Sequence, residues 1–268
     1  MQNLTEENMI RHTILNSLRM YNKRHREKYG QMVICVDSSS WRKQYFSYYK
    51  AKRKTNRDQS SMDWDAIFVI LNQLVEDLKN NFPYKVIKVD GAEADDIIGT
   101  LVMNTQEFGQ HEEVMIISSD KDFIQLQKYD NVKQWSPIQK KAVVDKNPRK
   151  YIFEHIIKGD KGDGIPNILS PDNAIVDEIR QSPITQKKLD AWLENIDNLE
   201  SFMTQDEYRN YIRNKNLIDL SLIPEDLQTK IINSFTEAKP AMKMKVLNYL
   251  IKHRCRQLIE CIEEFYCD

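Results

Sequence analysis

EADDIIG, residues 93–99, places three carboxylates in four positions. The run before it, YKVIKVD (84–90), has the pattern of a strand, and the run after it carries Ile97, Ile98, Leu101 and Val102 at helical spacing. The cluster therefore opens a helix just past the end of a strand. Like charges this close raise one another's pKa unless something offsets the repulsion. Glu93 and Asp96 share a helix face, and Asp95 points about 100° away. The dipole of the first helical turn favours negative charge by less than about 1 kcal/mol, too little to hold the group together. Taken alone, the stretch reads more simply as an acid-rich helix start; its companions in the chain reverse that balance.

Outward from this point the pattern repeats. MVICVD (32–37) reads as a buried strand ending in Asp37, and EVMIISSD (113–120) as a strand ending in Asp120. A helix is expected over 5–29, with Ile10, Ile14, Leu15, Leu18 and Tyr21 on one face and Gly30 as its stop. A second runs from Trp64 to Phe82, FIQLQKY (123–129) reads as a short helix, and NVKQW (131–135) as a strand. Alternating strands and helices predict an α/β fold with a mostly parallel central sheet flanked by helices. In such sheets ligands bind outside the carboxyl ends of the strands, so acids distant in sequence converge on one edge. SSDKDF (118–123) brings Asp120 and Asp122 there; KGDKGDGIPN (158–167) brings Asp160 and Asp163 in a glycine-punctuated loop after a helix near 149–158. Oxygen ligands of this kind suit Mg²⁺ or Mn²⁺. Two such ions about 3.5–4 Å apart fit phosphodiester hydrolysis. DKGDG also admits a calcium-loop reading, but it lacks the EF-hand ligand series.

A second constellation is basic. WRKQYFSYYKAKRKTNR (41–57) holds Arg42, Lys43, Lys50, Lys52, Arg53, Lys54 and Arg57 without an acid, interleaved with Trp41, Tyr45, Phe46, Tyr48 and Tyr49. Cations neutralise phosphates and rings stack on unpaired bases. The competing reading is a solvated helix with an aromatic core face. Lying directly after Asp37, the segment favours phosphate binding, with Lys50 or Arg42 in reach of a scissile phosphate. The net charge of −1 says nothing about a partner, so the local run carries the inference. Cys35, Cys255, Cys261 and Cys267 form no C-x-x-C pair, which disfavours zinc and fits free thiols in a reducing cytoplasm. No apolar run reaches the length of a membrane span, and the first residues lack the apolar core of a secretory signal.

In order and spacing, MIRHTILNSLR (9–19), YYKAKR (48–53), EADDIIG, IISSDKDFIQL (116–126), NVKQWSP (131–137), IIKGDKGD (156–163) and NLIDLSLIPEDL (216–227) resemble the structure-specific 5′ nucleases. These form the flap endonuclease superfamily, and the likeness extends to its T-even phage RNase H branch. The resemblance implies a PIN-like nuclease core over 1–150, with an arch at 41–64, and a helical DNA-binding region over 151–268. It implies a metal-dependent 5′→3′ exonuclease and flap endonuclease that removes RNA primers and 5′ flaps in phage replication, with two Mg²⁺ ions for which Mn²⁺ substitutes. Asp37, Glu93, Asp95 and Asp120 would serve the first ion, and Asp122, Asp160 and Asp163 the second, some through water. Asp96 would stand behind them, paired with a basic side chain. Lys50 would contact the attacked phosphate beside Arg42, while Lys43, Tyr49, Lys52, Arg53, Lys54 and Arg57 would hold the nucleic acid. The implied partners are 5′-flap, nicked or forked DNA and RNA–DNA hybrids, with a single-strand-binding protein and a sliding clamp by analogy. The protein would be a cytoplasmic monomer. The family opens with an aspartate-bearing strand that this sequence lacks. Either the sequence starts downstream of the full chain, or the chain is a variant with a weakened first metal site. The alternative function is therefore a catalytically impaired flap-binding or duplex-binding protein. A nucleotide phosphatase is a third reading, which leaves the basic aromatic segment unexplained.

Overall fold

The computed structural model describes residues 2–107 and 112–266. In chain order the helices and strands are α1 (Gln2–Tyr29), β1 (Val33–Val36), α2 (Arg42–Tyr45), α3 (Lys52–Asp58), α4 (Trp64–Asn81), β2 (Lys85–Lys88), α5 (Ala94–Asn104), β3 (Val114–Ile117), β4 (Val132–Ser136), β5 (Lys141–Val143), α6 (Pro148–Lys158), α7 (Gln186–Glu194), α8 (Leu199–Phe202), α9 (Gln205–Ile218), α10 (Glu225–Glu237), α11 (Lys243–Lys252) and α12 (Arg256–Ile259). A 3-10 helix, Lys121–Lys128, lies between β3 and β4. They form two compact units, neither continuous in sequence. The first comprises Met1–Ser38, Met62–Val89 and Thr229–Asp268; the second comprises Ser39–Ser61 and Asp90–Gln228.

In the first unit β1 and β2 pair in parallel, with Val33 opposite Lys85 and Val36 opposite Lys88. The expected buried strand at 33–36 is half-buried along its length, because β2 is its one strand partner among the described residues. Phe82, fully buried, centres the core, with ring centroids 5.2 Å from Tyr249 and 5.5 Å from Phe265. Asp63 caps α4 by accepting the Ala66 N–H at 3.0 Å. Of the α4 residues expected on its apolar face, Leu74 and Leu78 are buried while Phe68 is exposed. Arg11 is buried from α1 between Glu7, Asp77 and the Tyr249 hydroxyl.

In the second unit β3 and β4 pair in parallel and β4 and β5 antiparallel. The α/β class and the parallel pairing are those expected; the strands divide between a two-stranded and a three-stranded sheet. The core of this unit gathers Phe46, Tyr49, Phe153, Ile157, Trp192 and Leu217, among others. Asn214, fully buried on α9, donates to the carbonyls of Ile156 at 2.8 Å and Pro166 at 2.9 Å. Those two bonds tie the end of α6 and the loop after it to α9, and that loop carries Asp160 and Asp163. Among the described residues no helix is long and apolar enough to cross a membrane. Among the described residues Cys35, Cys255 and Cys261 form no disulfide; Cys267 lies outside those residues.

Candidate metal centre and arch base

The second unit builds the site from four short segments. The first is the start of α5. Asp96 is fully buried, and its Oδ2 accepts the Glu93 N–H at 2.9 Å, closing the first helical turn on itself. Arg42, 3 % exposed, reaches this pair from α2. Its Nε donates to the Leu217 carbonyl at 2.7 Å, its Nη1 to Glu93 Oε2 at 3.1 Å and Asp96 Oδ2 at 3.0 Å, and its Nη2 lies 2.8 Å from Asp96 Oδ1. Burial raises the Asp96 pKa, with Arg42 opposing it. Glu93 also accepts from Ser40 Oγ at 2.7 Å, from the Tyr49 hydroxyl at 2.8 Å and from Lys50 Nζ. Burial pushes Glu93 up, but Lys50, Ser40 and Tyr49 outweigh it and hold the carboxyl below its ordinary range.

The second segment is the base of the basic arch. Lys50 takes a left-handed backbone, φ 54°, and its N–H donates to the Asp163 carbonyl at 2.8 Å. Gly164, at φ +77°, lies directly beneath: a Cβ there would fall 2.7 Å from the Tyr48 carbonyl oxygen. This close approach sets Lys50 Nζ between Glu93 and Asp163, 3.4 Å from Asp163 Oδ2. Arg53 pairs with Asp163 at 2.5 Å and Lys52 with Glu178 at 2.6 Å. Lys43, Lys54 and Arg57 are exposed.

The third segment follows β3. Asp120 caps the 3-10 helix by accepting the Asp122 N–H at 2.9 Å. Gln134, buried on β4, clamps the loop from behind by donating to the carbonyls of Ser118 at 3.0 Å and Asp120 at 2.6 Å. The fourth is the end of α6, where Gly159 at φ 68° turns the chain sharply enough that a Cβ would meet the Ile165 carbonyl oxygen at 2.4 Å. The next residue, Asp160, uses Oδ1 to accept the N–H groups of Gly162 at 2.7 Å and Asp163 at 3.1 Å.

These segments bring together two overlapping groups of ligand atoms, each within 4.8 Å of one another: Asp95, Asp120 and Asp122, and Asp122, His155 and Asp160. The Asp95 carboxyl is pushed up to about 7 by burial and by the charges of Asp120 and Asp122. Burial raises Asp122 against the pull of His155. Burial would lower His155, but Asp122, Asp160 and Asp120 raise it. Mutual repulsion in a half-buried site with oxygen donors is the condition a divalent cation relieves, so the residues fit such an ion.

The other residues named from the sequence take the following positions. Arg42, expected at a phosphate, is a buried strut whose donors are committed to Leu217, Glu93 and Asp96. Tyr49, expected on a base, is 4 % exposed with its hydroxyl on Glu93. Glu93 and Asp163 lie outside both ligand groups, held by the arch cations. Asp37 is an exposed residue one position past β1 in the first unit, whereas both ligand groups belong wholly to the second. His155 was missed: a lone histidine on an amphipathic helix carries little signal. Its position in the last turn of α6, ahead of KGD, was the available clue.

The second unit defines a class: an α/β protein whose carboxylates from α5, the loop after β3 and the end of α6 meet beside an arch base of lysine and arginine. Comparison with known proteins narrows it. Residues 2–154 match the N-terminal, resolvase-like domain of the 5′-3′ exonucleases, and residues 147–265 match the C-terminal domain of T4 RNase H. The chain belongs to the 5′-3′ exonuclease family and is a nuclease of that kind. It is 34% identical to the ribonuclease H of Enterobacteria phage T4, over 96% of this chain and 87% of that one. It is 32% identical to the flap endonuclease Xni of Shewanella sp. (strain MR-4), over 54% of each. A solved structure of T5 5′-exonuclease with bound divalent metal ions (zinc) superposes with a TM-score of 0.58 at 19% identity, covering 86% of this chain and 90% of that one.

Proposed function

We propose that this chain hydrolyses phosphodiesters from the 5′ end of flaps, nicked or forked DNA and RNA–DNA hybrids, removing RNA primers and 5′ flaps during phage DNA replication. The observation that carries the reading is the meeting of Asp95, Asp120, Asp122 and Asp160 in one place, beside an arch base that holds Lys50 in a fixed backbone conformation. Asp95, Asp120 and Asp122 would hold one Mg²⁺ and Asp122 with Asp160 a second. Bound there, divalent ions supply a nucleophile at neutral pH and neutralise charge on the leaving oxygen.

The chain's own residues do the rest. Gln134 and the Asp120 cap fix the loop after β3, so Asp120 and Asp122 need no reorganisation when phosphate arrives. Lys50 Nζ lies between two carboxylates and can pass to a phosphate oxygen by a short side-chain movement. Arg42 and Asp96 keep the start of α5 rigid beneath it. Lys43, Lys52, Arg53, Lys54 and Arg57 neutralise the backbone of the single strand, and residues 151–268 contribute to duplex binding. A single-strand-binding protein and a sliding clamp are the proteins proposed beside it, with the chain a monomer in the cytoplasm of the infected host.

The test is a 5′-labelled flap and a nicked RNA–DNA hybrid incubated with the protein in Mg²⁺ and in EDTA. Short labelled products that vanish with the chelator support the reading. Tight binding without cleavage in both Mg²⁺ and Mn²⁺ overturns it.

A further inference from the structure

His155 sits among carboxylates in an unusual way. Its Nε2 is buried and lies 3.2 Å from Asp122 Oδ1 and 3.7 Å from Asp160 Oδ2. Both carboxylates are within ion-pair distance, so the nitrogen is directed at the two of them. The ring is held in place from one helical turn away: Tyr151 stacks on it, with centroids 6.0 Å apart and planes at 16°. Asp160 has Oδ1 engaged by two backbone N–H groups and turns Oδ2 toward the histidine. A nitrogen and two carboxylate oxygens thus converge within 4.8 Å of one another.

We infer that His155 is a nitrogen ligand of the second metal position, making it a mixed N/O site that favours Mn²⁺ over Mg²⁺, beside an all-oxygen first position. The inference rests on the nuclease reading above and adds metal selection to it. Mg²⁺ takes oxygen ligands and sheds its waters reluctantly, whereas a first-row transition ion such as Mn²⁺ accepts an imidazole nitrogen more readily than Mg²⁺ does. The Asp95, Asp120 and Asp122 group offers oxygen alone and has no reason to discriminate in the same way. The two positions share Asp122, so filling one changes the charge felt at the other. The protein would then bind mixed pairs of ions, with Mn²⁺ drawn to the α6 side.

The experiment uses the whole chain and Mn²⁺ alone, read by pulsed electron paramagnetic resonance and by calorimetric titration. Expected is a ¹⁴N modulation on bound Mn²⁺ in the wild type that is lost in His155→Gln. In that variant Mn²⁺ affinity at one site falls about tenfold or more, while Mg²⁺ affinity changes by less than about threefold. His155→Asp replaces the nitrogen with oxygen; it should keep two Mn²⁺ equivalents bound and show no ¹⁴N signal, which separates ligand loss from misfolding. Mn²⁺ bound without a ¹⁴N signal in the wild type overturns the inference and leaves the nuclease reading standing. So does a signal that persists in His155→Gln, which would place the nitrogen elsewhere. A wild type that binds no Mn²⁺ overturns both.

Discussion

Replacing Asp95 by asparagine should stabilise the metal-free protein and, at the same time, abolish its stabilisation by divalent ions. Asp95 is raised to about 7 from an ordinary 3.8, chiefly by burial and then by Asp120 and Asp122. A carboxyl whose pKa is raised on folding holds its proton more tightly in the folded state. Its effect on stability is therefore absent below about pH 4 and unfavourable as the pH rises toward 7, and it is complete above that. At 1.36 kcal/mol per pKa unit the gap amounts to about 4 kcal/mol of destabilisation at pH 8. That is a ceiling, because solvent and salt screen part of the repulsion; we expect at least about 1 kcal/mol. The assay is urea unfolding of wild type and Asp95→Asn in EDTA from pH 4 to 8, repeated in millimolar Mg²⁺ and Mn²⁺. In EDTA the variant should match the wild type at pH 4 and exceed it increasingly toward pH 8. In metal the order should reverse, because the wild type gains binding energy that the variant has lost. A difference that stays flat with pH, or a variant less stable than wild type in EDTA at pH 8, would refute the claim that these acids repel one another in a shared site.

Other perturbations follow from the same geometry. Arg42→Met leaves Asp96 and Glu93 buried without their shared cation and should cost about 3–5 kcal/mol in a denaturation experiment; near-neutral stability would mean that the strut is dispensable. Lys50→Ala should lower single-turnover cleavage about 10²–10³-fold with flap affinity within a few-fold, whereas equal losses in binding and rate would assign it to substrate holding. Neutralising Lys43 and Lys54 together should reduce the slope of log affinity against log salt by about 2, measured by fluorescence anisotropy on a 5′ flap; an unchanged slope would remove both from the phosphate path.

How much of this was legible in the sequence differs between residues. The junction at EADD was readable because its two flanks change period, from strand to helix, across four residues. Asp120 and Asp122 were readable for the same reason, and the glycines around Asp160 marked a forced turn that Gly159 and Gly164 bear out with positive φ. What sequence could not show was the direction in which the arch base points. Arg42 meets Asp96 across 54 positions and Leu217 across 175, and no local periodicity encodes such contacts. Arg42 and Tyr49 therefore read as surface groups of a basic run, although both are buried. β1 departs in the other direction: VICV is apolar enough for a buried strand, yet it is half-buried, because exposure depends on how many strands flank it. His155 was invisible because an isolated histidine on a helix looks the same whether it packs, pairs or ligates.

In the proposed function, divalent ions lie where carboxylates from α5, the loop after β3 and the end of α6 meet. An anomalous difference map from a crystal grown in millimolar Mn²⁺ tests this most directly. The account predicts one peak bounded by Asp95, Asp120 and Asp122 and a second bounded by Asp122, His155 and Asp160. A featureless map at this pocket, with the ligand side chains turned away from one another, would contradict it.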